Sequence, residues 1–346
     1  MPATPPSPRP APGAFPSAGT GHGPLPAVPD DLNAPGAPDG LGVSGAPGLP
    51  GALPGSPRPR IPSPLHAVDD DRFARHGVRL LLKRDDLIHP EVPGNKWRKL
   101  LPNLRAAVER GHTTLLTFGG AYSNHLRATA AAGRLLGLAT VGVVRGEELA
   151  GRPLNPSLAR CAADGMRLVF VDRATYRRKT EPEVVAGLLD RHGPCHLVPE
   201  GGSNALAVRG CAGLGRELRG RADVVAVACG TGGTLAGLAA GLAPGQRALG
   251  VAAVGGGFLA RETERLQHEA FGGRRGDWAV DGRFHCGGYA RTPPWLREFA
   301  EDFSTRHGVP VESLYVAKML HGLLTSAAEG AFAPGTRLAA VLTGTV

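Results

Sequence analysis

Val224-Val225-Ala226-Val227-Ala228-Cys229-Gly230-Thr231-Gly232-Gly233-Thr234-Leu235-Ala236-Gly237-Leu238-Ala239-Ala240-Gly241-Leu242 carries no charged residue and is broken once, by a tight glycine cluster. The uncharged run continues to Gly245. Its length approaches the ~20 apolar residues that cross a bilayer. A Gly-Thr-Gly-Gly-Thr centre and a Gly/Ala-rich remainder point elsewhere, to a buried strand, a turn and a helix. Val224 to Ala228 is short, apolar and β-branched, which predicts a strand; Leu235 to Leu242 predicts the helix after it. A glycine turn between a strand and a helix start is also where backbone amides converge on an anion.

The same alternation extends in both directions. Upstream, strands are predicted at Val78 to Lys83, Thr113 to Phe118, Thr140 to Val144, Arg167 to Val171 and His196 to Val198. Helices are predicted at Asn95 to Arg110, His125 to Leu136, Asn155 to Asp164, Glu181 to His192 and Leu206 to Leu218. Gly111 and Gly137 follow two of those helices as stops. Downstream, Ala248 to Val254 reads as one more strand, and Leu342-Thr343-Gly344-Thr345 closes an apolar strand at the end. Strands alternating with helices give an α/β fold with parallel-rich sheets flanked by helices. Ligands in such folds bind at the carboxyl ends of strands, where the glycine turns fall here.

The chain has 346 residues, 42% of them apolar and 5% aromatic, so aliphatic side chains must fill the core. Residues 1 to 58 differ from the rest: Pro, Gly, Ala and Ser dominate without apolar periodicity, which predicts a disordered tail or a misassigned start. Order is expected from about Ile61-Pro62-Ser63-Pro64-Leu65. A net charge of +9 is scattered, with no basic run interleaved with aromatics, so no nucleic-acid partner is expected. The excess of positive charge suits anionic small molecules. Five cysteines, an odd number with no C-x-x-C pair, fit a reducing cytoplasm and give no metal site. No secretory signal or membrane span is expected.

Lysine is rare, with Lys83, Lys96, Lys99, Lys179 and Lys318 the whole set, while arginine carries most of the positive charge. Lys96 lies in Pro93-Gly94-Asn95-Lys96-Trp97-Arg98-Lys99-Leu100, at the start of its predicted helix. A helix N-terminus disfavours an ammonium, and desolvation acts the same way, so this amine can lose its proton and attack a carbonyl. An ordinary solvated lysine fits that segment equally well on its own. Trp97, Arg98 and Lys99 read as helix surface or interface. In Gly119-Gly120-Ala121-Tyr122-Ser123-Asn124-His125, Ser123 and Asn124 are either helix caps or groups that hold a substrate carboxylate and relay a proton. His125 reads first as structural. Thr231, Gly232, Gly233 and Thr234 form the phosphate cradle, in a loop that is neither a Walker A nor a dinucleotide fingerprint. Pro199-Glu200-Gly201-Gly202-Ser203-Asn204 reads as a structural turn, and Tyr315 as a phenol acid/base. A carbonyl-seeking lysine together with a separate phosphate cup suggests pyridoxal 5'-phosphate.

Together these motifs resemble the 1-aminocyclopropane-1-carboxylate deaminase and D-cysteine desulfhydrase family of fold type II, tryptophan synthase β-like enzymes. The likeness runs from about residue 60 to the end. It rests on Lys83-Arg84-Asp85-Asp86 through Gly94-Asn95-Lys96-Trp97-Arg98-Lys99-Leu100, the Gly-Gly-x-x-Ser-Asn-His turn, the Gly-Thr-Gly-Gly-Thr loop, and Tyr315-x-x-Lys318-Met319 with the closing Thr343-Gly344. The resemblance implies Lys96 as the lysine joined to the cofactor and Asn95 beside it in the cofactor set. It implies Asn124 against the ring oxygen, Thr231 to Thr234 on the phosphate, and Thr343 at the pyridine nitrogen. Ser123, Asn124 and His125 would hold the substrate carboxylate, and Ser123 and Tyr315 would face the substrate. It also implies a cytoplasmic homodimer acting on a small amino acid, with a large domain (59–107 and 206–346) and a small mobile one (108–205). True deaminases carry a glutamate directly after the tyrosine. Here Val316 takes that place, Pro93 replaces a commoner glycine, and Thr345 closes the chain's Thr-Gly motif. The valine favours β-elimination from D-cysteine to pyruvate, ammonia and sulfide; the other two departures bear on substrate preference more than on cofactor binding. Deamination of 1-aminocyclopropane-1-carboxylate is the second expectation, and a non-catalytic metabolite-binding protein the third.

Overall fold

The computed structural model describes residues 58–92 and 94–344, so the expected N-terminal tail, Pro93 and Thr345 lie outside the described residues, apart from Arg58 at the tail's edge. In chain order the elements begin with β1 (Leu65–Val68), α1 (Asp71–Ala74), β2 (Arg79–Lys83), α2 (Lys96–Glu109) and β3 (Thr114–Gly119). There follow α3 (Asn124–Leu136), β4 (Ala139–Arg145), α4 (Pro156–Ala163), β5 (Met166–Val171), α5 (Arg173–Arg177), α6 (Pro182–His192) and β6 (His196–Val198). Next come α7 (Ala205–Glu217), β7 (Val224–Cys229), α8 (Gly233–Gly241), β8 (Arg247–Ala252), α9 (Leu259–Phe271) and β9 (Asp277–Asp281). The last elements are α10 (Pro294–His307), α11 (Val316–Ala328) and β10 (Arg337–Val341).

The strands form two sheets: six in the order β1-β2-β10-β7-β8-β9 and four in the order β5-β4-β3-β6. Only the β1–β2 pair is antiparallel; the other pairings are parallel. The larger sheet is buried on both faces, as parallel sheets are. On β10, Leu338 and Ala340 join the core shared with Leu80, Leu82, Phe303 and Met319, whereas Ala339 and Val341 join the opposite core with Val225, Val227, Leu235 and Trp278. This two-sided burial explains why the strands read as unbroken apolar runs. The result is the expected α/β fold, with parallel-rich sheets flanked by helices.

Helix α2 sits between the two sheets' cores. Its Trp97, Leu100 and Leu104 pack with Leu115, Ala128 and Val198. From the same helix Arg98 reaches the other way, donating to Asp85 at 2.8 and 2.9 Å and to Glu217 at 2.7 and 2.9 Å. The surface expectation for Trp97, Arg98 and Lys99 is therefore corrected. They are 4%, 5% and 2% exposed, because α2 is covered on several sides and both cations have buried oxygen partners. Predicted and observed element ends elsewhere agree to within two residues. Elements β1, α1, α5, α9, β9, α10 and α11 had no counterpart in the sequence reading.

Candidate active site

Strand ends build one cavity. The chain leaves β3 at Gly119, β4 at Arg145, β7 at Cys229 and β10 at Val341, and the turns that follow surround a hollow of about 560 Å³. Its lining includes Asn95, Lys96, Lys99, Ser123, Asn124, His125, Arg145, Thr231, Gly232, Thr234, Tyr289, Glu312, Tyr315 and Thr343. Of the catalytic, cofactor-binding and carboxylate-binding candidates named from the sequence, Gly233 alone is not on the lining; it opens α8 immediately behind Gly232.

Lys96 is the first residue of α2, half-buried with its side chain on the cavity wall. Burial pulls its pKa down, favouring the neutral amine. Its Nζ lies 3.4 Å from Asn95 Oδ1, and the amide of Asn95 in turn donates to Thr234 Oγ1 at 3.0 Å. Lys96 and the phosphate-type loop therefore share one wall. Gly94, at φ +53, brings the chain so close to the end of β10 that a Cβ there would run into the Thr343 carbonyl. The same carbonyl accepts from the Asn95 amide at 3.0 Å.

Ser123 caps α3, its hydroxyl accepting from Leu126 N–H at 3.3 Å, and Asn124 opens the helix. The capping role and a place on the cavity wall coexist. Asn124 Oδ1 is buried without a partner among the described residues. His125 is tied by Nε2 to Thr117 Oγ1 at 2.7 Å, while its Nδ1 has no partner. Burial, with Lys96 and Lys99 nearby, holds this imidazole neutral.

On the loop after β7, Gly232 adopts φ +72, and a Cβ there would meet Thr263 Oγ1 at 2.6 Å. The first amides of α8 have no helical carbonyl to bond. Beneath them lies Lys99, whose Nζ donates to Gly201 O at 2.7 Å and Ser203 Oγ at 2.8 Å. Ser203 Oγ also bonds Thr231 Oγ1 at 2.7 Å. Burial and the neighbouring Lys96 push Lys99 down to about 7, so an anion on this loop would restore a charge the fold has suppressed. The turn Pro199 to Asn204, expected to be merely structural, thus supports the phosphate-side wall. The donor set fits pyridoxal 5'-phosphate: an amine with a lowered pKa, an unpartnered amide oxygen on the cavity wall, and a cradle of helix-start amides backed by Lys99.

Tyr315 lies against the same loop; a Cβ on Gly230 would touch its ring at 3.1 Å. Burial raises its hydroxyl's pKa, so it stays protonated. Glu312 fixes its backbone, accepting from the N–H groups of Leu314, Tyr315 and Val316 at 2.6 to 3.0 Å. Val316 points into the large core at 1% exposure and is not on the cavity wall. The sequence reading missed Lys99, Arg145, Tyr289 and Glu312. Only Lys99 left a signal, as one of five lysines three positions after Lys96.

The family described as pyridoxal-phosphate dependent enzyme matches residues 59–344. A Thermotoga maritima protein named provisionally as a 1-aminocyclopropane-1-carboxylate deaminase is 30% identical over 72% of this chain and 84% of its own. The Yersinia pestis D-cysteine desulfhydrase is 34% identical over 48% of this chain and 53% of its own. The crystal structure of an ACC deaminase homologue superposes with a TM-score of 0.71 at 26% identity, covering 87% of this chain and 95% of that one. The third expectation, a non-catalytic binding protein, gives way to this family of enzymes. The chain belongs to the pyridoxal-phosphate dependent enzymes, among the relatives named as 1-aminocyclopropane-1-carboxylate deaminases and D-cysteine desulfhydrases, and pyridoxal phosphate is its cofactor.

Proposed function

We propose that the protein is a lyase that removes a β-substituent from a small amino acid, with D-cysteine as the type substrate and pyruvate, ammonia and sulfide as products. The observation that carries this reading is one cavity holding a desolvated lysine, a phosphate-type loop, the Ser123-Asn124 helix start and a protonated tyrosine. When bound, pyridoxal phosphate supplies the sink for the electron pair left at Cα.

Lys96 Nζ, its pKa lowered by burial, takes the Cα proton, with Ser123 Oγ on the wall nearby. The amides that open α3 hold the substrate carboxylate, as helix starts hold anions. Asn124 orients the cofactor ring, and Thr231 to Thr234 with Lys99 hold its phosphate. Thr343 stands at the ring nitrogen as a neutral partner. Tyr315 delivers a proton to the departing sulfur. In balance, the Cα–H and Cβ–S bonds break and a Cα–Cβ double bond forms. Water then replaces the nitrogen, giving pyruvate and ammonia beside hydrogen sulfide.

Ring-opening deamination of 1-aminocyclopropane-1-carboxylate is the second reading, favoured by the names of relatives that match most of the chain. Against it, the residue after Tyr315 is a valine turned into the core. The reading includes a large domain (59–107 and 206–346), a small mobile domain (108–205) and a cytoplasmic homodimer. The two separate sheets support that division. Among the described residues no helix is long and apolar enough to cross a membrane.

The test is sulfide and pyruvate release from D-cysteine by the purified chain, beside 2-oxobutyrate release from 1-aminocyclopropane-1-carboxylate. Lys96→Ala is expected to lose both turnover and the visible absorption of the lysine-bound cofactor. Turnover of neither substrate, nor of any β-substituted amino acid, rejects the proposal.

A further inference from the structure

Lys318 is a buried ammonium, 1% exposed, with no carboxylate paired to it among the described residues. It lies in the first turn of α11, three residues after Tyr315. Its Nζ donates to three backbone carbonyls: Ala253 at 3.1 Å, His285 at 3.1 Å and Gly288 at 2.9 Å. Ala253 follows β8. His285 and Gly288 belong to the loop between β9 and α10, and that loop carries Tyr289.

The loop's backbone is unfavourable in isolation. Cys286 sits at φ 55 and Ala290 at φ 60, with Gly287 at 86 and Gly288 at 122 between them. L side chains avoid this left-handed region. The loop's own hydrogen bonds are local, from Gly287 N–H to His285 Nδ1 and from Gly288 N–H to His285 O, both at 3.0 Å. Tyr289 nevertheless reaches the cavity, its ring centroid 6.1 Å from that of Tyr315. Strain of this kind persists only where the surroundings over-determine it.

We propose that Lys318 is the positioning residue that holds the 285–290 loop in place and so sets Tyr289 against Tyr315. One ammonium presents three donors from a single atom, which suits three carbonyls converging from two loops; the planar fork of arginine does not. The Tyr-x-x-Lys spacing places both tyrosines under the control of one helical turn, Tyr315 through its backbone and Tyr289 through the clamp. This accounts for a lysine retained in an arginine-rich chain at a position that touches neither cofactor nor substrate.

The catalytic consequence rests on the lyase reading; the consequence for the loop does not. Lys318→Met, Tyr289→Phe and the double variant are compared in the full chain loaded with pyridoxal phosphate. Lys318→Met is expected to lower kcat on D-cysteine at least about tenfold while the bound cofactor's visible absorption remains. The double variant should be no slower than the slower single variant, within about twofold, because both changes act through one phenol. Trypsin cleavage after Arg291, which is exposed at the end of the loop, should accelerate in Lys318→Met and not in Tyr289→Phe. Losses that multiply, an unchanged kcat, or an unchanged cleavage rate overturn the proposal. If Lys318→Met does not fold, Lys318→Gln, which keeps an amide donor, is put through the same comparisons. Should the wild type turn over no amino acid, the lyase reading fails and the cleavage rates alone decide the clamp.

Discussion

Asn95 donates its side-chain amide to Thr234 Oγ1 at 3.0 Å, joining residues 139 positions apart. The bond fixes the residue before the reactive lysine to the second residue of α8, where the phosphate-type loop ends. Asn95 is 3% exposed and its backbone is held as well, through Thr343 O. Three distant segments therefore meet at one asparagine. Asn95→Ala leaves a buried hydroxyl without its donor, a loss of ~1–3 kcal/mol. Cofactor affinity, followed by visible absorption on titration, is expected to fall about tenfold or more with the fold retained. Unaltered affinity would show that the two walls are aligned without this bond.

Lys99 makes cofactor capture depend on pH. Burial and Lys96 hold it near about 7 while the loop above it carries no anion. A phosphate raises that pKa, so binding favours the protonated amine, and above about pH 7 capture must take up a proton. Affinity should fall with rising pH by up to about tenfold per unit, until the pKa of the bound state is reached. Pyridoxine 5'-phosphate, which has no aldehyde to engage Lys96, isolates the effect. Titration of Lys99→Met should give a weaker and flatter profile over the same range. A wild-type profile that does not decline between about pH 7 and about pH 9 contradicts the assignment.

The two predictions draw on information of different kinds. The alternation of apolar runs and helix starts was legible because each strand and each glycine turn is a local pattern; Val224 to Thr234 is the clearest case. Lys96, Ser123, Asn124 and Thr231 were legible because their chemistry and their position at helix starts coincide. What escaped was set by packing between distant segments. Arg98 and Lys99 look like solvated helix charges until Glu217, Gly201 and Ser203 cover them. Tyr289 sits in a stretch without periodicity, next to a loop carbonyl that the lysine of another helix bonds. Elements α9 and α10 escaped because their helical faces are interrupted by charges that pair on the surface, as Arg265 does with Glu262 and Arg306 with Asp302.

Tyr315 is assigned to the leaving group, and substrates can separate that role from mere packing. Its hydroxyl remains protonated because burial, and then the charges and hydrogen bond around it, oppose the phenolate. Sulfide leaving from D-cysteine needs a proton, whereas chloride leaving from β-chloro-D-alanine does not. Tyr315→Phe is therefore expected to lower kcat on D-cysteine by about 10²- to 10⁴-fold, the usual contribution of a positioned acid. On β-chloro-D-alanine the same variant should fall by less than about tenfold. Equal losses on both substrates would move Tyr315 from proton donor to shape.

The Lys-Arg-Asp-Asp segment near the start of the fold is a structural tie rather than part of the chemistry. Lys83 pairs with Glu217 and donates to Ser63 O at 2.6 Å; Asp85 and Glu217 both accept from Arg98; Ser63 Oγ donates to Asp85 at 2.7 Å. Asp85 is fully buried and Arg98 is 5% exposed. The cluster joins the end of β2, the front of α2 and the last turn of α7, and so anchors the helix that presents Lys96. Removing one member leaves uncompensated charge in the interior, which destabilises by about 3–5 kcal/mol. Arg98→Met should lower the urea midpoint accordingly, and with it cofactor retention at moderate denaturant. Replacing the charges together, as in Lys83→Met with Arg98→Met, Asp85→Leu and Glu217→Leu, should restore part of the midpoint, because buried ion clusters gain little over apolar packing. A single variant as stable as the wild type would mean that water reaches the cluster and that its burial is not what holds α2 in place.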